Sequence, residues 1–293
     1  MLEKCLICPH NCGVNRKEGK IGRCKSNDKI KIAKYSIFNY EEPCISGKNG
    51  SGAVFFSNCN MNCKFCQNYE ISQLGKGKEI EISDLVKIFL KLQEMGAENI
   101  NLVTPTSYVM QIIEALKIAK KEGLKLPIVY NTNGYEKVET LKMLEGLIDI
   151  YVPDFKYANN EIGKYLSGVD KYFDIVKKAL KEMKRQVGGN EFDNKGMLKK
   201  GIIIRHLVLP NYILNSKLVL KWIKENLGKE TYISVMAQYF PTYKAKEDKK
   251  INRKLNKKEW EEIVKYISEL GFENGYIQEL GECEEEYVPK WDF

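Results

Sequence analysis

The chain has 293 residues, 43% of them hydrophobic and 29% charged, and carries a net charge of +8 from 47 basic and 39 acidic residues. That length needs no covalent staples to fold, and the balance is that of a globular chain whose basic excess favours acidic partners. No window approaches the ~18 apolar residues of a membrane-spanning helix, and Met-Leu-Glu-Lys-Cys at the start is no basic-then-apolar leader. The expectation is a cytoplasmic protein without membrane association.

Residues 1–50 are cysteine-rich, punctuated by glycine and poor in periodic apolar residues, which predicts a small separate module held by a metal. Eight of the nine cysteines fall before residue 67, and only Cys283 lies beyond. In a reducing compartment such clustering points to metal ligands or catalysis rather than disulfides. Cys5, Cys8, Cys12 and Cys24 offer four thiolates, with Gly13, Gly19 and Gly22 permitting tight turns between them. Four sulfurs complete a closed zinc site, or bind every iron of an iron–sulfur cubane. Zinc there would be structural, whereas a second cluster could relay electrons. His10 inside the loop could replace one thiolate, although an exposed histidine is the plainer reading.

From residue 51 to 293 short apolar runs alternate with helical periodicity. Candidate strands are Ala53–Ser57, Asn99–Val103, Ile128–Thr132, Ile148–Val152, Ile202–Leu209, Tyr232–Met236 and Tyr276–Leu280. Their nearly continuous apolar character suits a parallel sheet covered on both faces. Between them, Leu85, Ile88, Phe89, Leu92 and Met95 share one helix face after a Ser83 cap, and Val109, Ile112, Ile113, Leu116 and Ala119 share another. Trp260, Ile263, Val264, Ile267 and Leu270 form a third stripe, capped by Asn256 and stopped by Gly271. Repeated βα units imply either a barrel or a doubly wound sheet, and the pattern leaves both open. Gly188–Gly196 reads as a flexible loop, and the charge run from Lys244 to Lys258 as a solvated one.

Immediately after the first of these strands comes Cys59-x3-Cys63-x2-Cys66. Three soft sulfur ligands on one tight loop suit an iron–sulfur cubane with one iron left open for a ligand. Two other readings stand beside it: a zinc site closed by Cys44 or Cys283, and a Cys63–Cys66 redox pair.

The segment Cys59-x3-Cys63-x-Phe65-Cys66 resembles the signature of the radical S-adenosylmethionine (SAM) superfamily. Within it, the chain resembles proteins related to pyruvate formate-lyase activating enzyme that carry an added N-terminal cysteine module. The supporting segments are Glu41–Gly47, Cys66–Ser72, Asn101–Thr106, Asn131–Gly134, Pro153–Lys156, Arg205–Pro210 and Met236–Pro241. The resemblance implies an α/β fold, a partial (β/α)6 barrel over residues 51–293 with the metal-bound module at 1–50. It implies a [4Fe-4S] cluster on Cys59, Cys63 and Cys66 that binds SAM and cleaves it reductively to a 5′-deoxyadenosyl radical.

By the same resemblance Phe65 packs near the adenine, with a core aromatic beside the cluster as its equal alternative; Asp154 and Lys156 contact SAM, an exposed ion pair being the other reading; and Asn68, Asn131 and Arg205 join the cofactor site. Within its apolar strand, Arg205 needs a carboxylate or SAM partner; the adjoining His206 reads equally as a core or a catalytic residue. One departure is plain: where many members carry Gly-Gly-Glu to hold the SAM amino group, this chain has Val103-Thr104-Pro105-Thr106. The hydroxyls of Thr104 and Thr106 are the candidate replacements. The implied partners are a protein or peptide substrate, with a glycyl radical enzyme foremost, and a reductant such as flavodoxin or ferredoxin. Radical modification of a small molecule or peptide is the alternative, and a basic metal-binding protein that recruits nucleic acid is the weaker one.

Overall fold

The computed structural model describes residues 1–281 and residue 291. Its strands, in chain order, are β1 (Ile30–Phe38), β2 (Ser51–Phe56), β3 (Lys78–Ile80), β4 (Ile100–Val103), β5 (Ile128–Thr132), β6 (Ile150–Pro153), β7 (Glu191–Phe192), β8 (Leu198–Leu207), β9 (Tyr232–Met236) and β10 (Gly275–Ile277). The sheet runs β10-β9-β8-β6-β5-β4-β2-β1-β3, with β7 paired to β8. From β2 to β10 all neighbours on this path are parallel and follow chain order. A doubly wound sheet would reverse its order at a switch point. This one does not, so the winding is that of a barrel. The path ends at β3 and β10, and the barrel is therefore partial.

Strict alternation along each strand explains the continuous apolar runs. Val54, Phe56, Leu102, Tyr130, Tyr151, Ile202 and Ile204 pack outward against the helices. Val129, Ile150, Val152 and Ile203 point the other way and enclose Cys44 and Ile45. Both faces are thus buried, as a parallel sheet requires, and each such side chain contributes about 1.5–3 kcal/mol. The helix Ile82–Glu94 is capped by Glu81 in a reciprocal pair with Asp84, two residues ahead of the expected Ser83. Lys257–Leu270 has the expected Asn256 cap and ends at Gly271 in the left-handed conformation.

Residues before 50 enter the same sheet. β1 pairs antiparallel with β2 from Ile32 opposite Phe56 to Phe38 opposite Ser51, and Cys5, Ile7, Ile30 and Ile32 belong to the main buried cluster. One loop expectation is corrected: Gly188–Gly196 is the arm of a hairpin, with β7 antiparallel to β8. The charge run from Lys244 to Lys258 is solvated as expected, its lysines all exposed, while Ala245 and Ile251 are fully buried and anchor it and Arg253 pairs with Glu259 at 2.7 Å. Among the described residues, no helix is long and apolar enough to cross a membrane.

Candidate active site

The loop after β2 carries Cys59, Cys63 and Cys66, and the loops after β4, β5, β6 and β9 gather around it. This is the carboxyl end of the strands, where barrel sites are built. The loop is pinned from several directions. Asn62 and Lys64 donate their backbone N–H groups to the carbonyls of Ser167 and Leu166, at 2.9 and 2.8 Å. The Asn58 amide reaches the Tyr108 hydroxyl at 3.1 Å, and Lys64 pairs with Asp248 at 2.8 Å.

Each of the three sulfurs has a polar neighbour. Cys59 accepts from the Met61 N–H and the Asn133 amide, both at 3.4 Å. Ser167 donates to Cys63 at 3.0 Å. Ser72 lies 3.1 Å from Cys66, and because its oxygen accepts from Gln73, its proton is free for the sulfur. Burial pushes the Cys59 and Cys63 thiols above their ordinary range and Cys66 to about 11; the neighbouring Cys63 thiol adds to the rise at Cys59 and Cys66. Three thiols that disfavour each other's ionisation are released by a bound cation, because a metal displaces their protons.

Among the described residues no three His, Cys, Asp or Glu side chains stand at single-ion spacing. A cubane does not require that spacing, since each thiolate binds a different iron. Cys44 is not at this loop: it is buried in the barrel interior with Val129 and Ile150. Cys283 lies outside the described residues.

Asp154 and Lys156 stand beside the sulfurs, 2.5 Å from each other. Burial opposes the charge on Lys156, but Asp154 and the thiols of Cys63 and Cys66 outweigh it and hold its pKa above the ordinary value. The frame here is tight. Gly134 has a positive φ of 76°, and a Cβ on it would stand 2.5 Å from the Asp154 carbonyl oxygen. The Tyr172 hydroxyl accepts from the Lys156 N–H at 3.0 Å and bridges the carbonyls of Asn133 and Asp154.

The other expected contacts divide. Phe65 is 6% exposed and stands edge-on to Tyr239, with ring centres 5.9 Å apart. Asn68 keeps a buried side-chain oxygen with no partner, as does Asn101 inside the barrel; such orphaned acceptors fit a missing donor. Thr104 sits at the mouth with φ 59°, a conformation that is costly for a β-branched residue. Thr106 is turned away, its hydroxyl donating to the buried Glu136 at 2.6 Å. Burial raises the Glu136 carboxyl to about 7 against three hydroxyl partners.

Arg205 finds carboxylate partners: Glu42 accepts from its Nε at 2.8 Å, and Glu41 and Glu42 both accept from its Nη2. Glu41 also accepts from Asn101 at 2.7 Å and Asn131 at 3.3 Å. The segment after β1 therefore plugs the barrel with two carboxylates on one guanidinium. Buried His206 is bonded at both nitrogens, to the Phe155 carbonyl at 2.7 Å and Ser216 at 2.8 Å, and reads as a structural residue.

The N-terminal cysteines flank this mouth. Cys5 and Cys12 interact with each other, Arg16 donates to Cys24 at 3.3 Å, and burial pushes Cys8 up to about 12. At Cys24 burial is outweighed by Arg16 and the serines, which hold its thiol below the usual range. His10 donates from Nε2 to the Asn60 carbonyl at 2.6 Å, one residue from Cys59. Sequence reasoning placed none of Ser72, Ser167 or Tyr157 at the site; no local pattern marks a serine that meets a sulfur a hundred residues away.

Comparison with known proteins agrees with this geometry. The Radical SAM superfamily pattern matches residues 53–190. An uncharacterised protein of Methanocaldococcus jannaschii is 34% identical over 278 residues, 91% of this chain and 74% of its own. The pyruvate formate-lyase-activating enzyme of Clostridium pasteurianum is 25% identical over 172 residues, 57% of this chain and 65% of its own. SuiB of Streptococcus suis, in structures bound to S-adenosylmethionine and to its precursor peptide SuiA, superposes with TM-scores of 0.51 and 0.50 at 18% identity over 75% of this chain. This chain spans less than half of the SuiB length, 48% and 46% in the two structures, and the likeness is one of fold. The chain belongs to the radical SAM superfamily and is distantly related to the pyruvate formate-lyase activating enzymes.

Proposed function

We propose that this chain is an activating-type radical SAM enzyme acting on a protein or peptide, with a glycyl radical enzyme as its foremost substrate. The observation that carries the reading is the loop at the barrel mouth, where three thiols, Cys63 buried and Cys59 and Cys66 partly so, each meet a polar neighbour and Cys44, among the described residues, lies elsewhere. Cys59, Cys63 and Cys66 would hold the [4Fe-4S] cluster that the family implies. With SAM bound, that group supplies one-electron cleavage of a carbon–sulfur bond and a radical able to take a hydrogen atom.

The residues around it bind, orient and exclude water. Asp154 and Lys156 present one acceptor and one cation beside Cys63, suited to the amino-acid part of SAM. The orphaned oxygen of Asn68 and the hydroxyl of Thr104 offer acceptors for its ammonium. Thr106 is committed to Glu136, and Arg205 and Asn131 to Glu41; their role is to shape the lumen rather than to grip SAM directly. Phe65 and Tyr239 give an apolar wall for a purine. Residues 1–50 are proposed as a metal-binding module seated against this mouth, with Cys5, Cys8, Cys12 and Cys24 around zinc or a second iron–sulfur cluster. An acidic one-electron carrier of the flavodoxin or ferredoxin kind is the proposed reductant.

The test is anaerobic incubation of the reconstituted protein with SAM, a reductant and the glycyl radical enzymes encoded near it. A paramagnetic glycyl signal is expected on the partner. The precursor peptide bound by SuiB favours a second reading, permanent modification of a peptide. SAM turnover with a stable product and no partner radical would select it. Salt-dependent nucleic-acid binding without SAM cleavage would replace both.

A further inference from the structure

We propose that Ser167, backed by Tyr157, sets the reduction potential of the cluster through its Cys63 ligand. This rests on the reading of the Cys59–Cys66 loop as a cluster site.

Ser167 is fully buried at the end of the helix Asn160–Ser167. Its hydroxyl lies 3.0 Å from the Cys63 sulfur and 2.6 Å from the hydroxyl of Tyr157, itself fully buried. A serine hydroxyl has one proton, and a thiolate can only accept. The Ser167 proton therefore points at sulfur, and Tyr157 must donate to the Ser167 oxygen. Two hydroxyls in series polarise one another, so the bond to sulfur is stronger than a lone serine would make.

The spacing is fixed by backbone. Asn62 and Lys64, the residues on either side of Cys63, donate to the carbonyls of Ser167 and Leu166. The same helix end thus holds the loop and aims the donor. The other sulfurs have longer contacts: both donors to Cys59 stand at 3.4 Å, and the similar relay at Cys66 is the looser one, with Gln73 3.2 Å from the Ser72 hydroxyl where Tyr157 is 2.6 Å from that of Ser167.

Reduction adds one electron from an external one-electron carrier to the cluster and its sulfurs. No proton moves and no bond breaks. A hydrogen bond donated to a ligand sulfur stabilises the more negative state and raises the potential. Removing it makes reduction harder.

The experiment is an anaerobic redox titration of the reconstituted full chain, read by electron paramagnetic resonance, with iron and sulfide counted in every sample. Ser167→Ala is expected to move the midpoint to lower potential. Tyr157→Phe should move it the same way by less, and Ser167→Thr should restore the wild-type value. Tyr157→Phe keeps the ring in place and serves if Ser167→Ala fails to fold. Full iron and sulfide with an unmoved midpoint in either variant would overturn the role of these hydroxyls. A wild type that takes up no cubane would instead overturn the cluster reading beneath it.

Discussion

The two cysteine loops of this protein differ in what holds their sulfurs. Cys59, Cys63 and Cys66 have polar neighbours at Asn133, Ser167 and Ser72, residues fixed by the barrel and its helices. Cys5 and Cys12 engage each other, and the turn around them closes on itself, with Cys5 donating to Val14 and Gly13 donating back to Cys5. Cys24 leans on the buried Arg16, whose charge also reaches Cys5, and on Ser107 after β4. Both loops are braced by the barrel, but in different ways: in the first, side chains of the barrel and its helices meet every sulfur, whereas in the second they hold the backbone, with Thr140 donating to the Ile7 carbonyl at 2.6 Å and Lys137 to that of Leu6 at 3.3 Å, and Cys12 stays exposed. A sulfur met by a fixed donor is preorganised for its ligand.

The largest expected difference follows from paired substitutions. Cys63→Ala should abolish SAM cleavage and remove one cluster's iron and sulfide. Cys8→Ala should remove only the metal of the proposed N-terminal site and leave cleavage by the chemically reduced protein in place. Metal analysis and SAM-cleavage assays on both variants check this, and equal loss from both would end the distinction.

A second substitution asks whether the barrel mouth is ordered without metal. Arg205→Leu leaves Glu41 and Glu42 facing each other without their cation, and breaking a buried pair in this way costs about 3–5 kcal/mol. Urea unfolding should show that cost in the iron-free protein as well as in the loaded one.

The third is a dependence on pH. Burial lowers His206 from its ordinary 6.5 to about 4, so the unfolded chain binds the extra proton in between. Its contribution is intact above about pH 6.5 and is lost as pH falls towards 4, at about 1.4 kcal/mol per unit. Glu136, whose carboxyl is raised to about 7, gains stability as pH falls over the same window and opposes this slope, so the difference between two proteins is the readout: urea midpoints of His206→Gln should rise relative to the wild type as pH falls from about 6.5 towards 4.

The smallest effect concerns Thr104. Glycine accepts its left-handed backbone freely, so Thr104→Gly should stabilise the protein by about 1 kcal/mol while weakening SAM binding. Thermal melts and titration calorimetry separate the two; tighter SAM binding would remove Thr104 from the site.

How much of this was legible in the sequence follows from the range of the interactions. Strands β2, β4, β5, β6, β8 and β9 and the Asn256-capped helix were readable because their signals are local: continuous apolar runs, a cap and a stop glycine. The barrel came from the resemblance and not from the pattern, since a parallel sheet of either winding has the same one-dimensional signal; the unreversed strand order bears it out. β1 was hidden because Lys31 and Lys34 interrupt its apolar residues and its pairing partner lies beyond residue 50. At the site, the cysteine triplet and the Asp154–Lys156 pair could be read from spacing and resemblance. Thr106 looked available beside Thr104 until the chain's turn at Pro105 carried it to Glu136. The clamp on Arg205 was foreseen only as a need for a carboxylate, because nothing local says that Glu41 and Glu42 fold back into the barrel.

The central claim is tested most directly by anaerobic reconstitution with iron and sulfide, counting iron, sulfide and zinc in the wild type and in Cys59→Ala, with SAM cleavage measured on the same samples. The account predicts that the variant lacks one cubane's iron and sulfide and cleaves no SAM. A variant that keeps the wild-type iron, or a wild type that holds zinc at the 59–66 loop, would contradict it.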